Sequence, residues 1–170
     1  MKFDFSKINA GKDLTEANES LIKFLNSSIR RFYKTYAIYL GRNVADPCQD
    51  IDSKEPKSSF DRCCESVQDA IELGGRLAGI KGIYVLVDEY DAFPNEYLET
   101  ANADGRPKTA WEGTTVGQTF KSCWATVKSL CTDGFIQRLF ITGISPLSLS
   151  GVGSACNIVR NVSFQPNVVV

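Results

Sequence analysis

The sequence contains no histidine and no pair of cysteines in a CxxC spacing, although it has six cysteines in 170 residues. These absences exclude a zinc site built from histidine and cysteine, and also a catalytic thiol-imidazole pair. No apolar stretch approaches the roughly 20 residues that a membrane-spanning helix needs, and the first residues show no signal-peptide core. We therefore expect free thiols in an intracellular protein of the cytoplasm or nucleus, without a membrane partner.

The chain also lacks a large charge of either sign, since its formal net charge is -1. Such a balance gives no long-range attraction to nucleic acid or to an anionic membrane. The local basic cluster of Arg30, Arg31 and Lys34 is interpreted as a solvated helix face. There is no direct signal for nucleic-acid binding.

The length and the apolar fraction of 43% fit one globular domain that spans residues 1–170. Apolar residues at helical spacing alternate with short apolar runs that are typical of buried strands. The predicted elements are a strand at 2–5, helices at 15–39 and 59–77, a strand at 83–87, a helix from about residue 116, and strands at 139–143 and 158–164. Thr15 is a candidate N-cap of the first helix, and Asp13 competes with it. This order predicts an α/β fold with a mostly parallel sheet that helices cover on both faces.

The strand at 83–87 ends in acidic residues, in the segment GIYVLVDEYDAF. Asp88 and Glu89 follow five apolar residues directly, and Asp91 comes two residues later. Ligands of parallel sheets bind at the carboxyl ends of strands, where one carboxylate can bind hydrated Mg²⁺ and the next can polarise a water molecule. This is the Walker B pattern of nucleoside triphosphatases. From the residues alone a structural use stays open, because acids at this place also cap helices or face solvent.

Thr142 follows the next predicted strand and supplies a hydroxyl at its carboxyl end. It could bond the attacking water or the terminal phosphate, and a buried threonine that bonds a backbone carbonyl is the alternative.

Four segments in chain order resemble the AAA-ATPase-like domain of bacteria and fungi, and in particular the nucleoside triphosphatase module of fungal and oomycete Crinkler-type proteins. These segments are FDFSKI, YVLVDEYDAF, TFKSCWATVKSL and RLFITGISPLSLSGVGSACNIVRNVSF. The resemblance implies Asp88 as the Mg²⁺ ligand, Glu89 as the catalytic base and Thr142 as a catalytic, sensor-type residue. It also implies that Asp88, Asp91 and Ser145 bind the cofactor, and that the cofactors are Mg²⁺ and ATP.

The phosphate-binding loop of that family, GxxxxGK[ST], does not occur in the 170 residues. The resemblance therefore implies an incomplete P-loop NTPase-type αβα sandwich that lacks the Walker A strand, loop and helix. In the usual sheet order 5-1-4-3-2, the chain would supply strands 2 to 5. The strand at 158–164 would then lie across a gap, or pair with the strand at 139–142. The implied function is a fragment or degenerate member of the family, with part of the ATP site retained and no activity alone.

Two other interpretations stay open. The chain could be a non-catalytic interaction or effector module, whose long loops at 41–58 and 92–115 would contact an unknown protein partner or the remainder of a longer chain. A metal-dependent nuclease is disfavoured, because the segment after Asp91 offers no lysine shortly after the second acid.

Overall fold

The computed structural model describes residues 1–9, 11–43, 45–74, 79–96 and 113–144. Strands and helices follow one another along these residues as β1 (Lys2–Asp4), α1 (Leu14–Tyr36), α2 (Pro56–Glu72), β2 (Ile83–Asp88), α3 (Thr115–Thr132) and β3 (Ile136–Ile141). A 3-10 turn covers Phe5–Lys7, and residues 92–96 are helical. Ser145 and the predicted strand at 158–164 lie outside the described residues, so the predicted gap or closure beyond β3 stays a prediction.

The three strands form one parallel sheet in the order β1-β2-β3. Phe3 lies opposite Val87, and Val85 lies opposite Leu139. This order is the succession of strands 2, 3 and 4 that the sequence predicted. The α/β fold class with a parallel sheet is therefore confirmed.

The three helices contact one another and pack on one face of this sheet. Ile83, Val85 and Val87 point into that packed face and are buried, whereas Tyr84 is 63% exposed and Leu86 is 46% exposed on the other face. Among the described elements no helix covers this second face, which agrees with an incomplete αβα sandwich. The prediction that this strand is covered on both faces is wrong for the described part of the chain. The sequence of β2 shows no alternation of polar and apolar residues, because Tyr84 and Leu86 on the open face are apolar.

The cap of α1 settles the choice between two sequence candidates. Asp13 is the N-cap, and its Oδ1 accepts hydrogen bonds from the backbone N–H groups of Thr15 at 2.8 Å and Glu16 at 2.9 Å. The alternative cap, Thr15, is therefore wrong.

Other element boundaries also differ from the prediction. α1 ends at Tyr36 and not at 39, and α2 ends at Glu72 and not at 77, where Gly74 with its φ of 74° stops the helix.

Two elements begin three residues earlier than predicted. α2 begins at Pro56, because proline fits the first turn of a helix, where its missing N–H costs no hydrogen bond. β3 begins at Ile136, since the polar Gln137 and Arg138 concealed the start of the strand.

The core lies between the helices and the packed face of the sheet, and aromatic rings dominate it. Phe3 meets Phe60 edge-on at 5.8 Å between ring centroids, and Phe5 meets Phe120 at 5.7 Å. The five cysteines of the described residues are free, as expected. Burial raises the pKa of the Cys63 thiol to about 12, so this thiol stays protonated. Among the described helices, none has the length and apolar character needed to cross a membrane.

Candidate functional site

Asp88 and Thr142 lie side by side at the carboxyl ends of neighbouring parallel strands. Asp88 is the last residue of β2, and Thr142 follows the end of β3 directly. The Thr142 Oγ1 hydroxyl donates a hydrogen bond of 2.5 Å to Asp88 Oδ1. The structure thus brings together two of the residues that the sequence singled out.

The backbone of Thr142 is fixed on both sides. Its N–H donates to the carbonyl of Val87 at 2.8 Å, and its carbonyl accepts from the N–H of Tyr90 at 3.1 Å. The Thr142 hydroxyl therefore bonds a carboxylate and not the backbone carbonyl that the structural alternative required. Its position is set by the continuation of the sheet ladder beyond β3.

Two side chains from β1 complete the surroundings of Asp88. Lys2 Nζ lies 3.0 Å from Asp88 Oδ2, in a pair whose side chains are 54% and 42% exposed. Asp4 lies opposite Asp88 in the strand register, and its carboxylate binds Lys7 Nζ at 2.7 Å and the Ser6 hydroxyl at 2.7 Å. The positions of Lys2 and Asp4 beside Asp88 were not predicted from the sequence. Their alternation with Phe3 indicated a shared face, but the pairing register was not available.

These contacts keep Asp88 ionised. The pKa of its carboxyl lies below the usual value, first because Thr142 donates a hydrogen bond to it and second because Lys2 does. The pKa of Lys2 is raised in turn by its hydrogen bond with Asp88. Both members of the pair are therefore charged at neutral pH.

Glu89 has an unusual backbone conformation directly after β2. Its φ of 49° is the single positive value at a non-glycine residue in the described ranges. Left-handed conformations of such residues are strained and often occur at functional sites. The turn closes with a hydrogen bond of 3.0 Å from the Ala92 N–H to the Glu89 carbonyl, and the residue itself is exposed. Glu89 is therefore accessible to solvent directly after the end of the strand.

Asp91 is buried, at 3% exposure, and contacts the segment that follows β3. Its Oδ2 and Oδ1 accept from the Ile144 N–H at 3.1 and 3.3 Å. Gly143 allows this approach, because a Cβ atom there would lie 2.6 Å from Asp91 Oδ1 and would also clash with the Tyr90 ring. Asp91 thus ties the turn after β2 to the chain after Thr142. Its predicted role in cofactor binding stays a prediction, as does that of Ser145, which lies outside the described residues.

The donor set around Asp88 fits a hydrated Mg²⁺ ion. The described residues contain no group of three or more Asp, Glu, Cys or His side chains that could hold a metal by themselves. Mg²⁺ is usually bound by one or two carboxylates, with water and substrate phosphates completing its coordination. Asp88 and the hydroxyl of Thr142 supply hard oxygen atoms of this kind, and the Lys2 ammonium competes for Oδ2.

Comparison with protein families finds a match to the family described as Predicted AAA-ATPase, over residues 1–153. The matched range includes Asp88, Thr142 and every described element. No curated protein and no solved structure matched the chain in the two other comparisons.

Proposed function

The chain belongs to the AAA-ATPase-like family, and from this membership we propose that it is a partial or degenerate ATPase domain whose Asp88 binds the Mg²⁺ of an ATP molecule. The family suggests nucleotide and Mg²⁺ binding in general terms. The proposal assigns this binding to the Walker B segment at the end of β2.

The observation that carries the proposal is the hydrogen bond between Thr142 Oγ1 and Asp88 Oδ1 across two parallel strand ends. This bond fixes the orientation of the carboxylate, whose second oxygen, Oδ2, meets Lys2. A ligand that brings its own cation would have to replace the Lys2 ammonium at that oxygen. Thr142 would thereby hold Asp88 ready for a metal and would itself lie within reach of a phosphate.

Glu89 is proposed as the group that accepts a proton from the attacking water. Bound Mg²⁺ supplies charge neutralisation for the phosphates, while the carboxylate of Glu89 orients the water and takes its proton. Its exposure and its place after Asp88 support this role. In this proposal Asp88 serves the metal and Glu89 serves the water.

Asp91 is proposed to act as a positioning residue. Its hydrogen bonds to the Ile144 N–H fix the chain two residues after Thr142. Ser145 directly follows this fixed segment, which supports its predicted contact with the cofactor. A shift of the segment would move the Thr142 hydroxyl away from Asp88.

We further propose that the chain does not hydrolyse ATP alone. Phosphate binding in this class depends on the backbone amides and the lysine of GxxxxGK[ST], which the sequence lacks. Lys2 is the cation that contacts Asp88, and one ammonium group does not replace a loop of amides. We therefore expect the dissociation constant for ATP with Mg²⁺ to lie above the micromolar range.

Isothermal titration with ATP and Mg²⁺ tests this proposal on the wild-type chain, on Asp88→Asn and on the control Asp69→Asn. Asp69 is an exposed aspartate on α2, away from the strand ends. We expect a weak, Mg²⁺-dependent component of ATP binding, absent in EDTA, that Asp88→Asn abolishes and Asp69→Asn preserves. Micromolar affinity would refute the claim of impaired binding, and equal affinity in wild type and Asp88→Asn would refute the site.

The open face of the sheet favours a second candidate, a non-catalytic interaction module. Tyr84, Leu86 and Phe140 are exposed together there, since the strand register places Leu86 opposite Phe140. An unknown protein partner or the remainder of a longer chain would cover these residues. Loss of cellular activity in Tyr84→Ser/Phe140→Ser but not in Asp88→Ala/Glu89→Ala would favour this candidate, and the reverse pattern would favour the ATPase domain.

The Crinkler-type and effector assignment and the location inside the cell stay predictions that follow from the sequence and its resemblance. They do not enter the argument for the site.

A further inference from the structure

A groove of about 350 Å³ lies between the outer side of α1 and the end of β1. Four cationic side chains line it, namely Lys2, Lys7, Lys23 and Arg31, and Asp4 is the single carboxylate of its lining. The chain as a whole has a net charge of -1. The lining of this groove therefore carries more positive than negative charge, in a chain whose formal charges nearly balance.

Three of the lining residues form a row along α1. Lys23, Ser27 and Arg31 are spaced at i, i+4 and i+8, which places them on one side of the helix, and all three are exposed. Lys23 and Arg31 are separated by about 12 Å along the helix axis, at a rise of about 1.5 Å per residue. The Ser27 hydroxyl lies between the two cations as a hydrogen-bond donor.

The four cations differ in the partners that they already have. Lys7 is paired with Asp4 and Lys2 with Asp88, at 2.7 and 3.0 Å. Within the part of the chain that the structure describes, Lys23 and Arg31 take part in no salt bridge. The row on α1 is therefore the part of the groove with positive charge available for a ligand.

We propose that this groove binds a linear polyphosphate group through the cations of α1, at a site that adjoins the Asp88 site and shares Lys2 with it. A single carboxylate or phosphate would require both long side chains to bend toward one point on the helix surface. A chain of phosphates can span from Lys23 to Arg31 and accept a hydrogen bond from Ser27 between them. Arginine binds phosphate oxygens through its planar fork, and lysine contributes a compact point charge.

The proposed site needs no metal ion. Its ligand would be neutralised by lysine and arginine, whereas the Asp88 site is a carboxylate that requires a bridging cation before it can approach phosphates. Binding in the groove therefore persists in EDTA, and it does not depend on Asp88. The failure of one proposal leaves the other standing.

The test is isothermal titration of the complete chain with sodium tripolyphosphate in EDTA at low salt. Lys23→Ala/Arg31→Ala should weaken binding at least tenfold. The matched control is Arg30→Ala/Lys34→Ala, which removes the same charge from exposed positions of the same helix that do not line the groove. Circular dichroism verifies that both variants keep their helices.

Binding by the wild-type chain with a selective loss in Lys23→Ala/Arg31→Ala would support the site. No binding by the wild type, or an equal loss in both double variants, would overturn it. ATP in EDTA forms a second arm, since tighter binding of ATP than of tripolyphosphate indicates a nucleotide as the source of the phosphates, and tighter binding of tripolyphosphate indicates a free polyphosphate. Tighter binding of a single-stranded oligonucleotide than of either probe would overturn the assignment to a small molecule.

Discussion

The two faces of β2 differ in burial and in the kinds of group that they carry. On the packed face, Val85 and Val87 continue into Tyr90 and Asp91, which are buried against α3 and the segment after β3. On the open face, Tyr84 and Leu86 lead to Asp88, whose partners are Lys2 and Thr142. Side chains of β2 point alternately to the two faces, so neighbouring residues in the sequence lie on opposite faces of the sheet. Stability is concentrated on the packed face, and the carboxylate proposed to bind the Mg²⁺ of ATP follows the residues of the open one.

A pair of phenylalanines on opposite faces of the sheet gives the largest expected contrast. Phe3→Ala should lower the free energy of unfolding by about 3–5 kcal/mol, because it removes a buried ring that packs against Phe24 and Phe60. Phe140→Ala should cost less than about 1 kcal/mol, since its ring is 42% exposed. Urea denaturation measures both values. Similar costs for the two variants would show that the open face is covered in solution.

The two aspartates at the end of β2 form the next contrast. Asp91→Ala should lower the free energy of unfolding by about 2 kcal/mol, because it leaves the Ile144 N–H without its charged acceptor. Asp88→Ala should lower the denaturation midpoint much less, since its ion pair with Lys2 is exposed to solvent and one part-buried hydrogen bond, from Thr142, is lost. If Asp88→Ala proved to be the more damaging change, Asp88 would be a structural residue and the division between the faces would fail.

Gly143 tests how tightly the packed face closes around Asp91. Gly143→Ala should destabilise the fold by about 1–3 kcal/mol, because the added Cβ would overlap the Tyr90 ring and the Asp91 carboxylate. Gly113→Ala is the control, since a Cβ there meets no atom within 4 Å. Thermal unfolding of the two variants compares them, and a harmless Gly143→Ala would mean that the turn after β2 moves freely.

Glu89 marks the boundary between the faces and should show a smaller effect. Glu89→Gly should be about 1 kcal/mol more stable than Glu89→Ala, because glycine adopts a φ of 49° without the strain that a Cβ causes. Both variants lack the carboxylate, so the difference isolates the backbone. Equal stabilities in chemical denaturation would mean that the left-handed turn is not strained.

The smallest expected effect is a change in titration on the open face. The contact of Lys2 helps to lower the pKa of Asp88, so Lys2→Met should raise this pKa toward its usual value. Because the folded-state pKa is lowered, the ionised group contributes stability above its unfolded-state pKa and loses that contribution as the pH falls through the folded-state pKa. In Lys2→Met this loss should occur at higher pH. Carboxyl NMR titration measures it, with Lys81→Met at the opposite end of β2 as the control, and an unchanged Asp88 titration would exclude the ion pair in solution.

The sequence was sufficient for the parts of this account that depend on periodicity. Helical spacing predicted the helices, and the apolar runs placed Asp88 and Thr142 at the carboxyl ends of two parallel strands, although their mutual hydrogen bond was not predicted. The resemblance to the AAA-ATPase-like family supplied the order of the strands.

Features that depend on tertiary packing could not be predicted in the same way. Lys2 and Asp4 reach Asp88 only through the pairing register of β1 and β2, which alternation within one strand does not fix. The exposure of one face of β2 could not be predicted because Tyr84 and Leu86 are apolar, so that this half-covered strand has the composition of a buried one. The left-handed turn at Glu89 has no signal in its residue type.

The most direct test of the central claim is NMR line broadening by Mn²⁺, added as a paramagnetic substitute for Mg²⁺ in the presence of ATP. We expect the amide signals of Asp88, Glu89 and Thr142 to broaden first, and Asp88→Asn to abolish this selectivity. Broadening that begins elsewhere on the chain, or that persists unchanged in Asp88→Asn, would contradict a metal-nucleotide site at the end of β2.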